Sequence, residues 1–117
     1  MNTLYHNPRC SKSRETLAYL QTTDINFEVI EYLKNPPSTE MLLEIGKKLQ
    51  LPISKIIRTK EALFKELALS INDQKSDQAW AEILAANPKL IERPIFVTEK
   101  SAAIGRPLEN IISLIKV

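Results

Sequence analysis

With 117 residues, 44% of them hydrophobic and 26% charged, the chain carries enough apolar material to bury one core without staples. Its net charge of +2 comes from 16 basic and 14 acidic residues spread along the sequence with no interleaved aromatic series, which argues against a nucleic-acid or membrane surface. One cysteine excludes an internal disulfide, one cysteine with one histidine cannot supply a four-ligand zinc site, and no apolar run approaches the roughly 18 residues of a membrane span.

The chain runs straight into Asn2-Thr3-Leu4 with no signal-peptide pattern, so a reducing cytoplasm is the expected compartment. Residues 1–5 read as a short strand. His6-Asn7-Pro8-Arg9-Cys10-Ser11-Lys12-Ser13-Arg14 follows, holding the only histidine and the only cysteine. Pro8 lacks an N–H and fixes its own φ, so the chain turns there, and Ser11 or Ser13 is placed to cap a helix reaching to about residue 22. Cys10 then stands at a helix N-terminus, where free backbone N–H groups and the positive end of the macrodipole favour a thiolate and a bound oxyanion. Arg9, Lys12 and Arg14 add positive charge in the same stretch. An unperturbed thiol with a pKa of about 8.5 is only about 3% thiolate at pH 7, whereas one lowered by roughly two units is about three-quarters thiolate. These surroundings favour a nucleophile over a small buried hydrophobe. His6 has two readings, a hydrogen-bonding group in the Cys10 loop or simply the end of the first strand.

Phe27-Glu28-Val29-Ile30-Glu31-Tyr32 reads as a second strand, and the strand-helix-strand order favours parallel pairing with the first. Asn35-Pro36-Pro37 ends this unit. Residues 38 to about 87 turn helical. Ser38 or Thr39 caps a first helix with Met41, Leu42, Ile45 and Leu49 at helical spacing, weakened by Gly46. A second helical piece over residues 54–65 carries Ile56, Ile57, Leu63 and Phe64, and a third over 77–86 places Trp80, Ile83 and Leu84 on one face. Strands then return at 94–98 and 102–104 as an antiparallel hairpin. After Gly105-Arg106, Pro107 opens a closing amphipathic helix with Leu108, Ile111, Ile112 and Ile115 on one face. The order βαβ, helical block, ββα predicts one α/β domain over residues 1–117. It has a mixed sheet, a thioredoxin-like fold, and a helical insertion at about 38–90.

Arg58, Arg93 and Arg106 each sit at an element boundary. Guanidinium forks around a helix N-terminal thiolate would make a pocket for a tetrahedral oxyanion, and Arg93-Pro94 is a common kind of place for a cis peptide. Here the sequence resembles the glutaredoxin-linked arsenate reductases over essentially its whole length. The match runs through His6 to Leu17, Ile57-Arg58, Glu92-Arg93-Pro94-Ile95 and Gly105-Arg106-Pro107, and is strongest to the short chromosomal members. The resemblance implies that Cys10 attacks arsenate and that Arg58, Arg93 and Arg106 bind the oxyanion. It implies that His6 and the Ser13 region tune the thiolate, with Asn7, Ser11 and Arg14 supporting and Pro94 as the cis-proline. It also implies glutathione as co-substrate, glutaredoxin as protein partner, no bound cofactor or metal, and a monomer. Low-molecular-weight phosphatases use a C-x5-R loop, whereas here Arg14 follows Cys10 at C-x3-R and position 16 is threonine. A different-class alternative is a regulator of the Spx type, which binds RNA polymerase and switches through a C-x-x-C disulfide. Cys10-Ser11-Lys12-Ser13 has no second thiol for that switch.

Overall fold

The computed structural model describes residues 2–115. The chain sorts into two compact units, Met1–Asn35 with Arg93–Val117, and Pro36–Glu92. No helix among the described residues is long and apolar enough to cross a membrane.

The first unit is built on a four-stranded sheet in the order β2-β1-β3-β4, from β1 (Asn2–His6), β2 (Phe27–Glu31), β3 (Ile95–Val97) and β4 (Ala102–Ile104). β1 and β2 pair in parallel, with His6 opposite Glu31, because the intervening helix α1 (Ser11–Gln21) carries the chain back across the sheet. β3 runs antiparallel to both β1 and β4, and Thr98 and Ser101 close its hairpin to β4. Period-two alternation puts Leu4 opposite Phe96 on one face. There they join Leu20 of α1, Ala103, and Ile111 of the closing helix α5 (Glu109–Ile115) in a core whose four large side chains are wholly buried. Phe27 meets Phe96 edge to face at 6.2 Å between ring centroids, so the parallel edge strand is locked to the same core. The architecture is α/β with a mixed sheet, the thioredoxin-like arrangement read from the sequence.

α5 starts two residues later than expected. The Arg106–Pro107 bond is cis, Pro107 lies ahead of the helix, and the Pro107 and Leu108 carbonyls accept its first N–H bonds. The Arg93–Pro94 bond is cis as well.

The second unit is helical: α2 (Thr39–Leu49), a 3-10 turn at Ile53–Ile56, α3 (Ala62–Glu66), α4 (Asp77–Ala86) and a 3-10 turn at Pro88–Leu90. Ser38 and Ser76 cap α2 and α4, their hydroxyls accepting from the Met41 and Ala79 N–H groups. Leu42, Ile45, Trp80 and Leu84 are buried, while Met41, counted with the apolar face, is exposed. Gly46 does more than weaken its helix. A Cβ there would lie 2.8 Å from Ile53 Cδ1, so the missing side chain lets the 3-10 turn close onto α2. The single helical piece expected over 54–65 is instead two short ones. Between them Ile57 forms an antiparallel bridge with Ile91, Arg58 N–H donates to Leu90 O at 2.7 Å and Glu92 N–H to Ile56 O at 2.8 Å. A partner more than thirty residues away thus takes the backbone groups that a continuous helix would have used internally.

Candidate active site

Asn7-Pro8-Arg9-Cys10 is a β-turn closed by Cys10 N–H to Asn7 O at 3.0 Å, with proline at its favoured second position. Asn7 Oδ1 accepts from Arg9 N–H at 3.0 Å, and Arg14 Nη1 donates to Pro8 O at 2.9 Å, so the turn is braced from inside and from the first turn of α1. Cys10 itself is the N-cap of α1, with extended φ/ψ and its carbonyl accepting from Arg14 N–H.

Neither Ser11 nor Ser13 caps the helix. Ser11 is exposed in its first turn, and Ser13, wholly buried, turns its Oγ to His6 Nδ1 at 2.7 Å while accepting from Asn7 N–H at 3.0 Å. The open N-cap position leaves N–H groups of the first turn for the cysteine sulfur, where a serine cap would have consumed one. His6 therefore satisfies both of its readings, since it ends β1 and also joins the Cys10 loop. Burial lowers the His6 pKa; Glu31, its partner across the parallel pair, raises it, and Arg14 lowers it further, for a net value below the ordinary histidine range.

The Cys10 thiol is buried, 7% exposed, and burial alone would push its pKa up. Hydrogen bonds from Ser13 N–H, the Arg106 guanidinium and Lys12 N–H, with the charge of Arg93, outweigh that and hold it below the ordinary thiol value. Arg106 Nη2 lies 3.2 Å from Cys10 Sγ, and its Nε donates to Arg93 O at 2.8 Å, which fixes the guanidinium at two points. The charges that act on the sulfur thus come from Arg106 and Arg93. Arg9 and Lys12 are exposed, and Arg14 is tied to the Pro8 carbonyl. Pro94 is buried beside this corner, its carbonyl accepting from Gly105 N–H at 2.9 Å. Arg58 belongs to the helical unit, where Nη1 pairs with Glu61 Oε2 at 2.8 Å.

Sequence reasoning passed over Gly105 as a site element and the Arg14 brace on Pro8. The first had one signal, since Gly105 is one of only two glycines in the chain and precedes an arginine already singled out. The second had none, because a carbonyl acceptor carries no sequence mark.

A buried, depressed thiol at a helix N-terminus, held by a clamped arginine on a thioredoxin-like sheet, defines a thiol centre built to meet an anion. The chain belongs to the ArsC family, whose profile matches residues 5–114. It is 44% identical over 109 residues to an arsenate reductase of Neisseria meningitidis serogroup A, covering 92% of each chain. An arsenate reductase of Escherichia coli is 33% identical over 113 residues, 97% of this chain and 79% of that one. Among solved structures, an arsenate reductase from Vibrio cholerae superposes with a TM-score of 0.89 at 46% identity, covering 96% of this chain and 95% of that chain.

Proposed function

We propose that the protein reduces arsenate to arsenite, using Cys10 as nucleophile, with glutathione as the second thiol and glutaredoxin as the protein that reduces the resulting Cys10–glutathione disulfide. The observation that carries this reading is the Cys10–Arg106 contact at the N-terminus of α1, in a chain related over most of its length to proteins named arsenate reductases. The thiolate attacks As(V) and displaces water, forming an S–As bond. A second thiol then supplies the other sulfur, As(V) takes up two electrons and leaves as arsenite, and the two sulfurs become a disulfide. Arg106 and Arg93, together with Arg58, are the proposed oxyanion ligands, because a multiply charged oxyanion brought to a thiolate needs several forked donors. His6 and Ser13 support the loop that presents the sulfur. The regulator reading gains nothing from these relatives.

A steady-state assay with arsenate, glutathione and glutaredoxin tests the proposal. Wild type should turn over and Cys10→Ser should not. Reduction no faster than background, with folded protein and active glutaredoxin, would overturn it.

A further inference from the structure

Gly105 has no positive φ, so backbone freedom is not what the position requires. What it requires is space. An ideal Cβ on Gly105 would lie 2.7 Å from Thr16 Oγ1, 2.8 Å from Pro94 Cγ and 2.9 Å from Ile111 Cδ1, three contacts closer than carbon atoms tolerate. The three come from α1, from the proline just ahead of β3 and from α5, so the residue that follows β4 is pressed into a corner made by three parts of the fold. Its backbone is held there by Gly105 N–H to Pro94 O at 2.9 Å and by Asn110 Nδ2 to Ile104 O at 3.1 Å. The next residue is Arg106, with its Nη2 at 3.2 Å from Cys10 Sγ.

We propose that Gly105 is a positioning residue for the reaction, its missing Cβ letting the end of β4 approach α1 closely enough for Arg106 to reach Cys10. Two facts connect the clash to the contact. Thr16 lies on the same helix whose N-terminus carries Cys10, six residues on, so displacing β4 from Thr16 displaces it from the sulfur's own helix. Arg106 is also tied to Arg93 O, immediately ahead of Pro94, so a methyl against the Pro94 ring disturbs both anchor points of the guanidinium. Thr16 adds a diagnostic. It is wholly buried and its hydroxyl has no hydrogen-bond partner among the described residues, so removing that hydroxyl relieves the closest contact without breaking a bond.

The inference rests on the Arg106–Cys10 contact that the proposed function also uses, and the experiment reads that contact without arsenate. Alkylation of the single thiol by iodoacetamide at pH 7 is compared in wild type, Gly105→Ala, Thr16→Ala, Gly105→Ala/Thr16→Ala, Arg106→Ala and Gly46→Ala. Gly105→Ala should slow alkylation about threefold or more, in the direction of Arg106→Ala. The double variant should recover part of the rate, because the contacts with Pro94 and Ile111 remain. Gly46→Ala, whose Cβ meets Ile53 in the helical unit, should lose stability and keep the wild-type rate. A wild-type rate in Gly105→Ala, or equal slowing in Gly105→Ala and Gly46→Ala, overturns the proposal. If Gly105→Ala does not fold, the double variant decides it: slower than Thr16→Ala upholds the proposal, equal to it overturns it. An unchanged rate in Arg106→Ala also overturns the proposal, because the contact Gly105 is proposed to permit would not activate the thiol, and this failure is separate from loss of arsenate turnover in the assay above.

Discussion

The lowered pKa of Cys10 rests on donors from two parts of the chain, and only one of them is adjacent to it in sequence. The Ser13 and Lys12 N–H groups follow from its place at the start of α1, which Pro8 and the apolar spacing of the helix announce. Arg106 stands 96 residues away, and no local pattern says which of the chain's cations will reach the sulfur. Of the cations beside it in sequence, Arg9 and Lys12 are exposed and Arg14 is tied to the Pro8 carbonyl. The balance of burial against these donors predicts an alkylation midpoint below the ordinary thiol value of about 8.5, measured as rate against pH. A midpoint at or above that value would refute it. Arg106→Lys should restore only part of what Arg106→Ala loses, since an ammonium supplies charge and lacks the fork that holds both Sγ and Arg93 O.

His6 makes a separate pH-dependent contribution at the same scale. Burial favours the neutral ring in the folded chain, so between the lowered folded pKa and the ordinary value of about 6.5 the unfolded chain binds more protons. Stability therefore rises with pH across that window and is lost as pH falls through it. His6→Gln should flatten this slope in urea unfolding measured from about pH 5 to pH 8, and an identical slope in the variant would remove His6 as its source.

At the scale of elements, the strands and the longer helices were legible because local pattern and tertiary partner agree. Leu4, Leu20, Phe96 and Ile111 occupy positions that period two or period 3.6 already marked apolar, and all four are wholly buried. Phe96→Ala should cost about 3–5 kcal/mol, read from denaturant unfolding, because it empties the centre of that core and removes the edge-to-face partner of Phe27. Ser38→Ala and Ser76→Ala should each cost about 1 kcal/mol, as loss of a helix cap does. Residues 54–65 were misread for a physical reason: Ile56 and Ile57 suit a helix by spacing, and the bridge between Ile57 and Ile91 instead takes the neighbouring backbone groups into extended pairing. Ser13 is a comparable case. Its type and place fit a cap, but His6 and Asn7 lie within reach of the hydroxyl, and those bonds can be recognised only once β1 has brought the turn back over the helix.

For the whole molecule, the change from alternating strand patterns to helical spacing after Pro37 marks the start of the helical unit, and Glu92 marks its end. Within the sheet unit the ends of β1, β3 and β4 and the start of α1 place the candidate site residues His6, Cys10, Arg93 and Arg106, drawn from both ends of the chain. The chain has one cysteine, and that fact governs the proposed chemistry more than any distance does. Reduction of As(V) to As(III) takes two electrons, and two thiols supply them by becoming one disulfide. Cys10 can provide one thiol and the chain has no other, so turnover should depend on an added thiol. The oxidised protein should then carry glutathione in a one-to-one mixed disulfide, visible as a single mass increment by intact mass spectrometry and absent in Cys10→Ser. Glutaredoxin should remove the increment, and thioredoxin should do so poorly. Arsenate reduction by the protein alone at more than one half-equivalent per chain would contradict this, since two chains sharing an intermolecular disulfide can supply no more.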